Sequence, residues 1–143
     1  DDLRYLNEVI ESGGNAREID AALVPIAISA DPAMIRPLLL MLNETSDDHG
    51  MWSLVHAAEQ FDDGIYVDHF LSALDGMHIT SPRWASILLM RLLNSDTGRE
   101  EVVRRLRVAS GEVRSIARSL CESINESDPR FLARTVPVMI ATK

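Results

Sequence analysis

The chain has 143 residues, of which 46% are apolar and 25% are charged, and its formal net charge is −8 at pH 7. This length fits one domain that buries roughly 70% of its unfolded surface, so the fold requires no disulfide or metal staple. A single cysteine excludes an internal disulfide framework, and the absence of any long apolar run excludes a membrane-spanning helix.

Helical periodicity dominates the first third of the chain. Apolar residues share one helical face between Leu3 and Ile10, and Gly13–Gly14 ends that helix. Pro25 interrupts the second apolar stripe, which predicts a kink or a break there. Asp31-Pro32 predicts the start of a third helix, because Asp caps a helix N-terminus and Pro suits the first turn. Pro37 then bends that helix or shortens its start.

The middle of the chain repeats these start and stop signals. Asp47–Asp48 and Asp62-Asp63-Gly64 each predict a helix start, where acidic side chains face the positive end of the helix dipole. Asp75-Gly76 predicts the end of the second of these helices. Ser81-Pro82 begins a helix that is apolar nearly all round, as expected of a buried helix. Arg91 is the one charged residue between Trp84 and Leu93.

The remaining signals complete an all-helical pattern. Asp96 caps one further helix, Gly111 separates it from the next, and Asp128-Pro129 starts the last. No segment alternates as a strand would, so we expect eight or nine helices in a single domain over residues 1–143. The starts at 31, 81 and 128 are 50 and 47 residues apart, close to the period of HEAT repeats. We therefore predict stacked antiparallel helix pairs of the HEAT or armadillo kind, with a compact helical bundle as the alternative.

Charge is distributed unevenly along the chain. Residues 1–80 hold 15 acidic residues and 3 arginines, a balance of −12, whereas residues 81–143 carry +4. Between Pro37 and Pro82 there is no Lys or Arg, although all four histidines lie there. The acidic residues of this central window are Glu44, Asp47, Asp48, Glu59, Asp62, Asp63, Asp68 and Asp75. A folded segment of one sign lacks the usual Glu–Lys pairs, which indicates an external partner of opposite charge.

The arginines of the second half have two interpretations. Six of them lie between Arg99 and Arg118, with glutamates interleaved and no aromatic residue between Trp84 and Phe131. Single-stranded nucleic acid sites use aromatic rings beside a basic groove, and the whole chain has a pI near 4.9, so we expect no nucleic acid partner. Internal ion pairs with the acidic half are favoured, and Arg91 is expected either to extend its charged end to the surface or to pair with a carboxylate such as Glu59 or Asp62.

Catalytic and metal-binding patterns are weak. His49 and His56 are seven residues apart and His56 precedes Glu59 by three, but the sequence has no H-E-x-x-H motif and no cysteine beside them. No nucleophile motif or phosphate-binding loop is present, and Cys121 lies on an apolar helical stripe typical of a buried, inert thiol. We expect no enzyme activity, no metal and no cofactor. A metal-dependent enzyme using the histidines remains the third hypothesis.

Two blocks in the middle of the chain carry a family resemblance. They are Gly50-Met51-Trp52-Ser53-Leu54-Val55-His56 with Glu59 and Phe61-Asp62, and Ser81-Pro82 with Trp84-Ala85 and Ile87-Leu88-Leu89-Met90-Arg91-Leu92-Leu93-Asn94-Ser95. Spanning residues 47–107, they resemble the all-helical immunity protein family thirty of bacterial polymorphic toxin systems. The resemblance implies a cytoplasmic protein that binds a cognate toxin domain, commonly a nuclease, and blocks it.

The charge pattern and the resemblance lead to one leading hypothesis. We expect an immunity protein that neutralises a basic toxin domain, with a helical scaffold or adaptor as the alternative. Trp84 is expected in the core, and Trp52 either in the core or as an exposed interface anchor. The predicted partner-binding residues are Glu44, Asp47, Asp48, His49, Trp52, His56, Glu59, Asp62, Asp63 and Asp68. The oligomeric state stays open.

Overall fold

The computed structural model describes residues 1–143, which form nine α-helices and no β-strand. The helices are α1 (Asp2–Glu11), α2 (Ala16–Ser29), α3 (Ile35–Met41), α4 (Asp48–Ala58), α5 (Asp63–Thr80), α6 (Pro82–Leu93), α7 (Asp96–Leu106), α8 (Gly111–Ser127) and α9 (Leu132–Ala141). A 3-10 turn precedes α3 (Pro32–Met34), and another precedes α9 (Pro129–Phe131). The all-α prediction and the number of helices are confirmed.

Most helix starts follow the predicted caps. The carboxylates of Asp47 and Asp62 accept backbone N–H bonds at the starts of α4 and α5, from His49 at 2.8 Å and Ile65 at 3.0 Å. At α7 the cap is Ser95, and Asp96 is the first helical residue. These side chains satisfy N–H groups that have no partner within the first turn.

No break occurs at Pro25, and the helix end predicted at Asp75-Gly76 is wrong. Helix α2 continues through Pro25, which lies on its exposed side, so the carbonyl that loses its donor remains open to water. Helix α5 continues through Gly76, which faces α3 instead of ending the helix. A Cβ at Gly76 would lie 2.7 Å from Leu40 Cδ2, so the glycine permits close packing of the two helices.

Helices two positions apart in the chain pack side by side, in two layers. In one layer, the starts of α2 and α4 meet at Ala16 and Gly50, and a groove between them extends to Ala27 and Gln60. Helices α2 and α4 are therefore parallel.

Ion pairs between side chains show that α4 and α6 are also parallel. Arg83 at the start of α6 pairs with Asp48 at the start of α4, and Arg91 near the end of α6 pairs with Glu59 just after α4. In the other layer, α3 packs on α5 and α5 packs on α7. Successive parallel helices in each layer are what stacked helix pairs require, while assignment to the HEAT class stays a prediction.

The two layers enclose one hydrophobic cluster of 38 buried residues, extending from Leu6 to Ala141. Trp84 and Phe70 are its largest fully buried side chains, which confirms the predicted core position of Trp84. Cys121 is also fully buried, as predicted from its apolar stripe. Helices α4, α5 and α6, which carry the predicted site, are thus fixed on a continuous core.

Gly98 provides a sharp test of helix packing at the α6–α7 turn. A Cβ at this buried position would lie 2.7 Å from the backbone oxygen of Leu92, which no side-chain rotation can relieve. We expect Gly98→Ala to lower the free energy of unfolding by about 1–3 kcal/mol in urea denaturation. Gly111→Ala is the matched control, because no atom lies within 4 Å of a Cβ there. An equal loss in both variants would contradict the steric explanation.

Candidate partner-binding surface

The first group of predicted site residues lies at the start of α4. The backbone N–H of Arg83 donates to Glu44 Oε1 at 2.9 Å, and its Nη2 donates to Asp48 Oδ1 at 2.8 Å. The hydrogen bond to Asp48 is the main reason that the pKa of Arg83 is raised. Asp47 serves as the N-cap, and His49 is exposed. A short chain segment therefore presents three carboxylates, two of which pair with Arg83.

The second group lies one to three turns along α4. Arg91 donates from Nε and Nη2 to the two oxygens of Glu59, at 2.8 and 2.7 Å. This bidentate pair confirms one of the two partners predicted for Arg91, and it raises the pKa of that guanidinium. Arg91 also lies 5.1 Å from the ring centre of Trp52, which in turn meets Trp84 edge-on at 5.2 Å. His56 is 6.0 Å from Trp52.

The Trp52 side chain is neither fully in the core nor fully exposed, which were the two positions predicted for it. It is half-buried, with one edge on the core and one part open beside His56 and Arg91. The Trp84 ring behind it is fully buried and donates from Nε1 to the Asn43 carbonyl at 3.0 Å. Trp52 is therefore held in one orientation while part of its surface remains available.

The third group lies around the start of α5. Asp62 is the N-cap, Asp63 accepts a hydrogen bond from Thr97 Oγ1 at 2.6 Å, and Asp68 pairs with Arg105 at 3.2 Å. Helix α7 supplies both Thr97 and Arg105. The three groups together follow the edge formed by α4, the α4–α5 turn and the first half of α5.

Five of the eight carboxylates of the central window pair with arginines that lie outside it. Their partners are Arg83 for Glu44 and Asp48, Arg91 for Glu59, Arg105 for Asp68, and Arg36 for Asp75. The window itself has no cation, but neighbouring helices of the stack bring arginines across to it. If Arg83, Arg91 and Arg105 are counted together with residues 1–80, the net charge of that group changes from −12 to −9. The net charge of this part of the chain is therefore smaller in magnitude but still negative.

The predicted pairing of the two halves holds for only part of the arginine cluster. Arg99 pairs with Asp96 and Arg104 with Glu101, both within α7. Arg118 donates to the hydroxyl and carbonyl of Thr142 instead of to a carboxylate. Near neighbours on α7 therefore pair with Arg99 and Arg104, and three arginines, at 83, 91 and 105, bridge the halves.

Comparison with known protein families identifies the chain. The family model for immunity protein 30 matches residues 6–102, which is more than half of the sequence. The chain belongs to the immunity protein 30 family. Membership implies a protein that binds a cognate toxin. The match also begins well before the two sequence blocks that carried the resemblance, so it includes α2 and α3.

Neither the curated proteins nor the solved structures gave a significant match. The match to the immunity protein 30 family is thus the comparison that bears on function. None of its helices is both long and apolar enough to cross a membrane. No three His, Cys, Asp or Glu side chains are grouped so that they could hold a metal ion.

Sequence reasoning missed an apolar groove beside the acidic residues. It has a volume of about 500 Å³, runs between α2 and α4, and contains Leu23, Val24, Ala27 and Ala57, with His56 at one side. Val24 is 54% exposed and Ile28, one turn further on, is 77% exposed. The spacing of these two β-branched residues in α2 was the available signal, but a helical stripe alone does not reveal which side faces water.

Proposed function

We propose that this protein neutralises its cognate toxin by covering a basic surface of the toxin with the face formed by α4, the α4–α5 turn and the adjoining groove of α2. A basic nuclease is the toxin class that this face suits best, because nucleases hold the phosphate backbone with Lys and Arg. Membership in the immunity protein 30 family carries the proposal, and the negative excess of the first 80 residues supports the choice of a basic partner.

The internal ion pairs do not remove the electrostatic attraction. The Arg83 and Arg91 side chains are 47% and 41% exposed, and solvent-exposed pairs of this kind contribute only ~0–1 kcal/mol each. Asp47, Asp62 and Asp63 have no arginine partner at all. Complementary fields of this sort raise association rates by about ten- to thousandfold at low salt. Fast capture suits an inhibitor that must act before the toxin does.

Durable inhibition also needs contacts that exclude water. A stable interface buries about 800 Å² on each partner and concentrates its energy in a few anchors. Trp52 is braced by Trp84, and His56 connects it to the groove that contains Val24. The same face thus combines charged residues with adjoining apolar surface, and protein interfaces use both.

The charge hypothesis is best tested with a substitution that preserves the helix caps. Asn caps a helix about as well as Asp, so Asp47→Asn with Asp62→Asn removes two charges without removing either cap. We expect the association rate with the toxin domain encoded beside this protein's gene to fall by about three- to tenfold at low salt. Raising the salt concentration should shrink the difference, because screening weakens both proteins' fields.

Glu122→Gln with Glu126→Gln is the control, since both glutamates are exposed on α8, outside the proposed face. This pair should leave the association rate nearly unchanged. Equal rates for all three proteins would remove the acidic face from the mechanism. Failure of the unaltered protein to bind the neighbouring toxin would overturn the proposed function and favour the scaffold alternative.

A further inference from the structure

A polar pocket lies where the α4–α5 turn meets the α6–α7 turn. Its volume is about 400 Å³, and its walls include Glu59 and Asp63, the rings of Phe61 and Tyr66, and Asn94 at the end of α6. Only part of this lining belongs to the acidic window, because α6 supplies the opposite wall. The pocket opens beside the face proposed for toxin binding, since Glu59 and Asp63 belong to both.

Tyr66 is the unusual member of the pocket. Its side chain is only 3% exposed, yet its hydroxyl has no hydrogen-bond partner. Burial raises the pKa of this phenol well above its usual value, and the Glu59 charge adds to the effect, so the hydroxyl stays neutral. Native structures seldom leave a buried hydroxyl unpaired, and Tyr66 lines the pocket, so a donor that enters the pocket can supply the missing partner.

The charges around the pocket favour a cation as that partner. Arg91 also lines the pocket, but it occupies both oxygens of Glu59, so this pair is electrically balanced and Asp63 leaves a net negative charge. Asp63 accepts one bond, from Thr97 to Oδ2, and its Oδ1 has no protein donor. The ends of α4 and α6 and the starts of α5 and α7 all lie at this pocket, so the partial charges of the helix ends oppose one another and the free Asp63 oxygen decides the sign.

The shape of the pocket fits a long aliphatic side chain with a charged end. Phe61 and Leu92 provide apolar wall, while Asp63, Tyr66 and Asn94 provide oxygen atoms. Lysine and arginine bury their methylene stems against such surfaces and leave the charged group for polar partners. A lysine ammonium or arginine guanidinium has several N–H donors, enough for one to bond Asp63 Oδ1 and another to reach for the unpaired Tyr66 hydroxyl.

We propose that this pocket receives one lysine or arginine side chain of the toxin, held by Asp63 and Tyr66. The inference rests on the proposed function and adds a specific anchor to it. Long-range charge acts mainly on the association rate, whereas a side chain buried in a pocket acts mainly on the dissociation rate. The two proposals therefore predict effects on different kinetic constants.

The test measures both rate constants for Asp63→Asn and Tyr66→Phe with the toxin domain encoded beside this protein's gene. We expect the dissociation rate to rise at least tenfold for Asp63→Asn and about threefold for Tyr66→Phe. Glu122→Gln on α8 is the control and should leave dissociation unchanged. Without toxin, Tyr66→Phe should unfold at the same or a higher urea concentration, because the hydroxyl makes no internal bond.

The outcomes separate the two proposals. Unchanged dissociation for both pocket variants, with slower association for the Asp47→Asn and Asp62→Asn protein, would overturn the pocket and leave the acidic face intact. A marked loss of stability in toxin-free Tyr66→Phe would also overturn it, because the hydroxyl would then have a structural partner. If the unaltered protein does not bind the toxin, the proposed function itself fails.

Discussion

Replacement of Trp84 by alanine is expected to lower the free energy of unfolding by about 3–5 kcal/mol. The side chain is 0% exposed and lies in the centre of the helix stack, so its removal leaves a cavity that the surrounding layers cannot fill. The variant also loses the hydrogen bond from Nε1 to the Asn43 carbonyl and the edge contact with Trp52. The Asn43 carbonyl then needs a new donor.

Urea denaturation followed by circular dichroism measures this loss without relying on tryptophan fluorescence. Trp52→Ala is the matched comparison, because it deletes the same side chain from a half-buried position of the neighbouring helix. We expect Trp52→Ala to lose less than half as much stability and to weaken toxin binding directly. Equal losses in the two variants would show that Trp52 is a core residue and that its exposed edge is not kept for a partner.

The helices of this protein could be predicted from the sequence because their signals are local. Asp47 and Asp62 cap helices through backbone N–H groups two or three residues away, and Gly13 ends α1 with a positive φ of 81°. The effects of Pro25 and Gly76 were predicted less well, because they are not local. Their roles depend on the side of the helix they occupy and on Leu40 of another helix, which no local pattern specifies.

The candidate site, too, could be predicted only where its features are local in the sequence. The concentration of carboxylates in the central window was visible, but their neutralisation by Arg83 and Arg91 required the packing of α6 beside α4. The pocket was harder still to predict from the sequence. It depends on Asn94 and Asp63 lining the same space and on a buried Tyr66 hydroxyl that has no partner. Features that arise from the layer arrangement cannot be deduced from the spacing of residues along one helix.

Cys121 should make the stability of the protein depend on alkaline pH. Burial raises the pKa of its thiol from 9.0 to about 12, and the nearby Glu122 charge acts in the same direction. The folded protein therefore keeps the proton while the unfolded chain loses it, so the unfolded state gains stability as the pH rises above 9. The stabilising contribution is complete below pH 9 and is lost between pH 9 and about 12.

The difference in the free energy of unfolding between the natural protein and Cys121→Ala isolates this thiol. Tyr66, whose pKa burial also raises, and every arginine titrate alike in both proteins and cancel. We expect the difference to be nearly constant from pH 7 to 8 and then to change against the natural protein, with a slope that steepens through pH 9 and approaches about 1.4 kcal/mol per pH unit near pH 10. Urea denaturation at half-unit steps to pH 10.5 measures it. A flat difference would mean that the thiol reaches water in the folded state, which would contradict its place in the core beneath α8.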